Sequence, residues 1–202
     1  MMKPKAIKCR YSHSLFSRLR MAGLAGLSAF VALAAAQDAP TINLSTNNCV
    51  VRFLVPAGDK ITEGTPKQIS GWIRFNRTGD LNSLQGSVVI KVADLTTSDE
   101  GRDRKMREKC LEAGRFPKIT FTLERSRITE LQTVLLTGPL TIRDVTRLCV
   151  IGTKYTVEEN RYHLVGGTEM KWTDFGVHDP STFFTKVKPE LKVLVDLWLP
   201  VQ

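Results

Sequence analysis

Between Leu131 and Tyr155 apolar and polar residues alternate in two runs that meet at Arg143-Asp144. Val134, Leu136, Gly138, Leu140 and Ile142 fall on one face of the first run, and Thr137, Thr141 and Arg143 on the other. A period of two belongs to a strand with one face in apolar space and one toward water. After the turn, Val145, Leu148, Cys149, Val150 and Ile151 resume a β-rich run, so the pattern predicts a hairpin.

The same rhythm recurs along the chain. Cys49–Val55 sets Val51, Phe53 and Val55 on one face; Lys67–Asn76 sets Ile69, Gly71, Ile73 and Phe75; Ser87–Leu95 sets Val88, Ile90 and Val92. Lys118–Arg125 places Ile119, Phe121 and Leu123 together, and the last run, Leu191–Leu199, places Val193, Val195 and Leu197 together. Residues 161–172 read as a strand interrupted by Gly166-Gly167, which suits a bulge or sharp bend. Only Ser98–Gly114 breaks the β rhythm: it is densely charged, with Met106, Cys110 and Ala113 spaced to share a helical face, and Gly114 and Pro117 to end it.

Eight strands and one short amphipathic helix predict an all-β fold. With no helix to cover a sheet, the strands lose their edges most simply by closing into an eight-stranded antiparallel barrel, with a two-sheet sandwich as the rival. Such a barrel is either filled by its own side chains or hollow enough for one small ligand, and periodicity alone favours the filled account. If it is hollow, the candidate ligand-binding wall is Phe53, Ile73, Phe75, Ile90, Val92, Ile119, Phe121, Leu123, Val134, Leu136, Leu140, Ile142, Val193, Val195 and Leu197. That wall offers almost no hydrogen-bonding groups, so its ligand would be apolar.

Composition changes the picture at the N-terminus. Residues 1–20 carry Lys3, Lys5, Lys8, Arg10, Arg18 and Arg20 and no acid; residues 21–36 carry no charge and end in Ala34-Ala35-Ala36. A basic region, an apolar region and a small-residue site predict a secretory signal peptide over residues 1–36, cleaved after Ala36, and a periplasmic or secreted domain over residues 37–202. The apolar run is short for a bilayer-spanning anchor, which needs roughly 20 residues; the basic, acid-free start also suits an organelle transit peptide. Removing the leader takes six basic residues and leaves the net charge of +9 at +3. A nucleic-acid partner, which needs a basic stripe on the folded domain, loses its support. Cys9 departs with the leader, so Cys49, Cys110 and Cys149 remain, as one disulfide and a free thiol or as three buried thiols.

Reactive chemistry is sparse. The chain has no Gly-x-Ser-x-Gly elbow, no phosphate-cradling glycine loop and no paired-histidine metal pattern; His163 and His178 stand fifteen residues apart. No catalytic residue, metal or cofactor is expected. The rival readings are a lipid-modifying enzyme using Arg102, Asp103 or Asp174 at the barrel mouth, and a filled, stress-related structural barrel.

Four segments together resemble the YceI-like family of exported lipid-binding proteins: Arg102-Asp103, Phe116-Pro117-Lys118-Ile119-Thr120-Phe121, Gly138–Thr146 and Asp174-Phe175-Gly176-Val177. Their order and spacing fit along nearly the whole of residues 37–202. The resemblance implies a lipocalin-like barrel whose tunnel holds a polyisoprenoid or similar long-chain amphiphile, lined above all by Phe121, Leu140 and Ile142. It implies a carrier without catalytic activity in an exported setting, and leaves room for a transient membrane contact; oligomeric state stays open. Two positions depart from the family pattern: Lys105 stands where His is common, and Trp172 where Arg is common. Both bear on how a ligand head group would be met.

Overall fold

The computed structural model describes residues 40–77 and 79–201. The leader expected over residues 1–36 lies outside them. Twelve strands form one antiparallel sheet: β1 (Thr41–Asn43), β2 (Cys49–Ala57), β3 (Lys60–Pro66), β4 (Ser70–Phe75), β5 (Leu84–Lys91), β6 (Leu95–Thr96), β7 (Lys118–Leu123), β8 (Arg125–Ile128), β9 (Thr133–Ile142), β10 (Val145–Glu158), β11 (Arg161–Lys171) and β12 (Glu190–Pro200). They are ordered β1-β4-β5-β7-β9-β10-β11-β12-β2-β3-β6, with β8 continuing beside β9. β2–β3, β9–β10 and β10–β11 are sequential hairpins joined by short turns, whereas β12 closes against β2 from the far end of the chain.

The sheet is all-β and curls around an apolar interior, but eight strands is corrected to twelve. β1, β3, β6 and β8 are the additions. Nor is the ladder closed: among the described residues the path ends at β1 and β6. Single backbone bonds tie down residues beside these ends, Leu44 N–H to Gly71 O at 3.0 Å and Lys67 N–H to Asp94 O at 2.8 Å. Two- and three-residue edges offer little ladder for another chain to join.

The hairpin at Arg143-Asp144 forms as expected, Ile142 pairing with Val145, and Val134, Leu136, Gly138 and Leu140 are buried in strict alternation. Leu148 and Val150 point the other way, 73% and 45% exposed. The strand expected to run through Leu95 stops at Lys91, and residues 92–94 make a tight helical turn before β6. Gly166-Gly167 is not a bulge. The ladders on both sides pass through it without a skipped residue, Gly166 opposite Thr153 and Val195. A side chain at Gly166 would collide with the Gly152 carbonyl, so the glycines allow close strand approach instead.

The expected helix over 98–114 is shorter. It comprises α1 (Glu100–Arg104), capped by Asp99 Oδ1 accepting from the Arg102 N–H, and one wider π-type turn through Cys110, in which Leu111 N–H reaches Met106 O. Glu112, at φ +50°, takes the left-handed position, not Gly114.

Candidate functional site

The curled sheet encloses a cavity of about 950 Å³, at the upper end of the range for small-molecule sites. The interior is therefore hollow, not filled. One end is sealed. There Phe75, Leu84, Val134, Leu164 and Leu199 are at most 1% exposed, and Tyr162 anchors its hydroxyl on Gly79 O at 2.8 Å.

The other end is the mouth, assembled from three segments. The β2–β3 turn, the helical segment 100–111 and the loop 176–189 meet through Gly58 N–H to Lys186 O (2.8 Å), Lys188 N–H to Pro56 O (2.9 Å), and Lys105 Nζ to Pro180 O (2.7 Å) and Ser181 O (3.1 Å). All four charged residues that line the cavity, Asp59, Lys60, Arg102 and Lys105, belong to this end. The site is thus a largely apolar tube with its charge confined to its opening, the profile of an amphiphile with one long tail.

Of the residues expected to form the wall, Phe53, Ile73, Ile90, Ile119, Phe121, Leu123, Leu136, Leu140, Ile142, Val193, Val195 and Leu197 line the cavity. Phe75, Val92 and Val134 do not; they are buried in side-chain packing, Phe75 beside the Tyr162 ring and Val92 in the turn after β5. Sequence periodicity missed Met106, Cys110 and Leu111, which the helical segment turns into the cavity, and Met170, Trp172 and Phe184 near the mouth. Met106 and Cys110 carried a usable signal, their shared helical face.

Cys49, Cys110 and Cys149 are free, buried thiols, all on the cavity wall. Burial pushes each thiol's pKa up; for Cys49, with the Asp196 carboxylate nearby, to about 12. None is a thiolate at neutral pH, so none is a ready nucleophile.

Two of the charged groups singled out at the mouth, Asp103 and Arg102, are engaged with Thr96 and Thr97. Asp103 accepts from Thr96 Oγ1 (2.6 Å), Thr97 N–H (2.7 Å) and Thr97 Oγ1 (2.5 Å). Burial alone would raise its pKa, but these donors and the Arg107 guanidinium hold it below the usual carboxylate range. Arg102 donates from Nε to Thr97 Oγ1 (2.7 Å) and from Nη2 to Thr97 O (2.8 Å). Asp174 sits in the turn 172–175, where its carbonyl accepts from Arg147 Nε at 3.3 Å. No group of three or more His, Cys, Asp or Glu among the described residues could hold a metal ion.

Three solved structures share this architecture. BcnA of Burkholderia cenocepacia superposes with a TM-score of 0.67 at 18% identity, covering 74% of this chain and 95% of its own. A polyisoprenoid binding domain from Saccharophagus degradans, implicated in plant cell wall breakdown, gives 0.62 at 13%, covering 82% and 100%. The YCEI protein of Campylobacter jejuni gives 0.58 at 18%, covering 70% and 85%. At these identities the likeness is one of fold. No curated protein matches the sequence. The model of the YceI-like domain, however, matches residues 43–199, well over half of the chain and nearly all of the curled sheet, and the chain belongs to that family.

Proposed function

We propose that this protein is an exported carrier that holds one polyisoprenoid or comparable long-chain lipid in its cavity and does no chemistry on it. The observation that carries the reading is the cavity itself: about 950 Å³, sealed at one end and charged only at the other. Water inside so apolar a wall finds few partners, whereas each buried methylene of a tail contributes about 0.8 kcal/mol. A head group left at the mouth would meet Lys60, Arg102 and Lys105. Membership of a family with a polyisoprenoid-binding structural relative supports the ligand class; the basic and apolar leader over residues 1–36 supports export.

A carrier without catalysis fits the mouth better than an enzyme. Asp103, the acid best placed to act, is ionised and held by three donors, and Arg102 places two of its donors on Thr97, keeping Nη1 for a head group. A series of fluorescent alcohols or phosphates with prenyl tails of increasing length tests the reading. Dissociation constants should fall steeply with tail length, by up to roughly fourfold per methylene, until the tube is full. Affinity independent of tail length would refute it.

A further inference from the structure

Phe183 and Phe184 are 92% and 93% exposed, and their rings meet edge to face at 5.1 Å. They tip the loop 176–189, and Phe184 lines the opening while Phe183 does not. The loop is held by backbone bonds to the β2–β3 hairpin, whose Ile61 is 68% exposed. Three large apolar side chains therefore project from one end of the molecule, where water gains nothing by meeting them. Among the charges of that loop and of the cavity opening, Lys60, Arg102, Lys105, Lys186 and Lys188 stand against Asp59 and Asp179. The opposite end is sealed by Phe75, Leu84, Leu164 and Leu199, so the charged opening beside this lip is the end at which a lipid tail would enter.

We propose that the Phe183-Phe184 lip docks the mouth on an anionic membrane surface, with the phenyl rings in the headgroup region and the lysines facing lipid phosphates. Aromatic side chains ringed by cations bind such surfaces through apolar burial and attraction to the negative leaflet together. The choice of a membrane as partner rests on the cavity being a lipid site, and the experiment separates the two.

Purified protein is sedimented with vesicles of phosphatidylglycerol and phosphatidylethanolamine, and with vesicles of phosphatidylcholine alone. Wild type should partition onto the anionic vesicles, less so as salt is raised, and Phe183→Ser should weaken that partition by about tenfold, the factor that roughly 1.4 kcal/mol represents. Uptake of a prenyl alcohol from detergent solution by Phe183→Ser should match wild type. Failure of wild type to bind, equal partition onto both vesicle types, or unchanged partition of Phe183→Ser would overturn the docking surface. Loss of prenyl uptake by wild type itself would instead strike the carrier reading.

Discussion

Arg143, at the tip of the β9–β10 hairpin, donates from Nη2 to Glu112 Oε1 across 2.6 Å. Glu112 also receives Arg115 at 2.7 Å and lies 2.6 Å from His178 Nε2, so one carboxylate joins the end of the helical segment, the hairpin tip and the mouth loop. Arg143 adopts φ +56°, a left-handed conformation that a branched or bulky side chain resists. Its ion pair and its stacking over the Phe116 ring at 5.1 Å hold it there.

This clasp sets a pH dependence. The His178 contact, then Arg115 and Arg143, hold the Glu112 carboxyl below its ordinary value of 4.5. A carboxylate whose pKa is depressed by folding contributes stability above that ordinary value and loses it as pH falls through the folded one. Glu112→Gln should melt a few degrees below wild type at pH 7, and the gap should close as pH drops below about 4.5. Thermal melts from pH 7 to pH 3 check this; a gap that stays constant would place the role of Glu112 outside its charge.

A hollow interior answers differently from a packed one when a side chain is enlarged. Val195 lies mid-strand on β12, facing the cavity opposite Val51. In a packed core Val195→Trp would cost about 1–3 kcal/mol by overpacking. In this cavity the indole has room, so the variant should melt no lower than wild type while losing prenyl binding. Thermal denaturation and ligand titration of the same sample read both.

The three cavity thiols report occupancy. With pKa values pushed up by burial, Cys49, Cys110 and Cys149 should each react slowly with a maleimide at pH 8 in the folded protein and quickly when it is denatured. Because all three line the cavity, they should label more slowly in the lipid-bound protein than in the delipidated one. Mass-spectrometric mapping of modified peptides separates the three sites; fast labelling of any in the folded state contradicts the arrangement.

What the sequence disclosed follows from which strands carry their own apolar signal. β2, β9 and β12 are long and alternate cleanly, so their inward residues could be read directly from spacing. β3 could not. Its buried or cavity-facing positions are Lys60 at the opening, Thr62, Gly64 and Pro66, while Ile61 points to water; the ring of Phe53 from β2 lies where a side chain at Gly64 would be. The apolar cover of β3 is thus supplied by its neighbour, and its own pattern is inverted. β1, β6 and β8 have two to four residues each, too few for a period to show. The sealed end was illegible for another reason: Phe75 and Val134 keep the inward phase of the wall, but tertiary packing from Tyr162 and its neighbours decides where the hollow stops.

The central claim is that the hollow holds a long-chain lipid. Native mass spectrometry of the purified protein, followed by solvent extraction and identification of what is released, tests it most directly. The account predicts a complex with one long-tailed, predominantly hydrocarbon molecule per chain, lost in Val195→Trp. A protein that emerges empty, and stays empty after incubation with a polyprenyl alcohol, would contradict it.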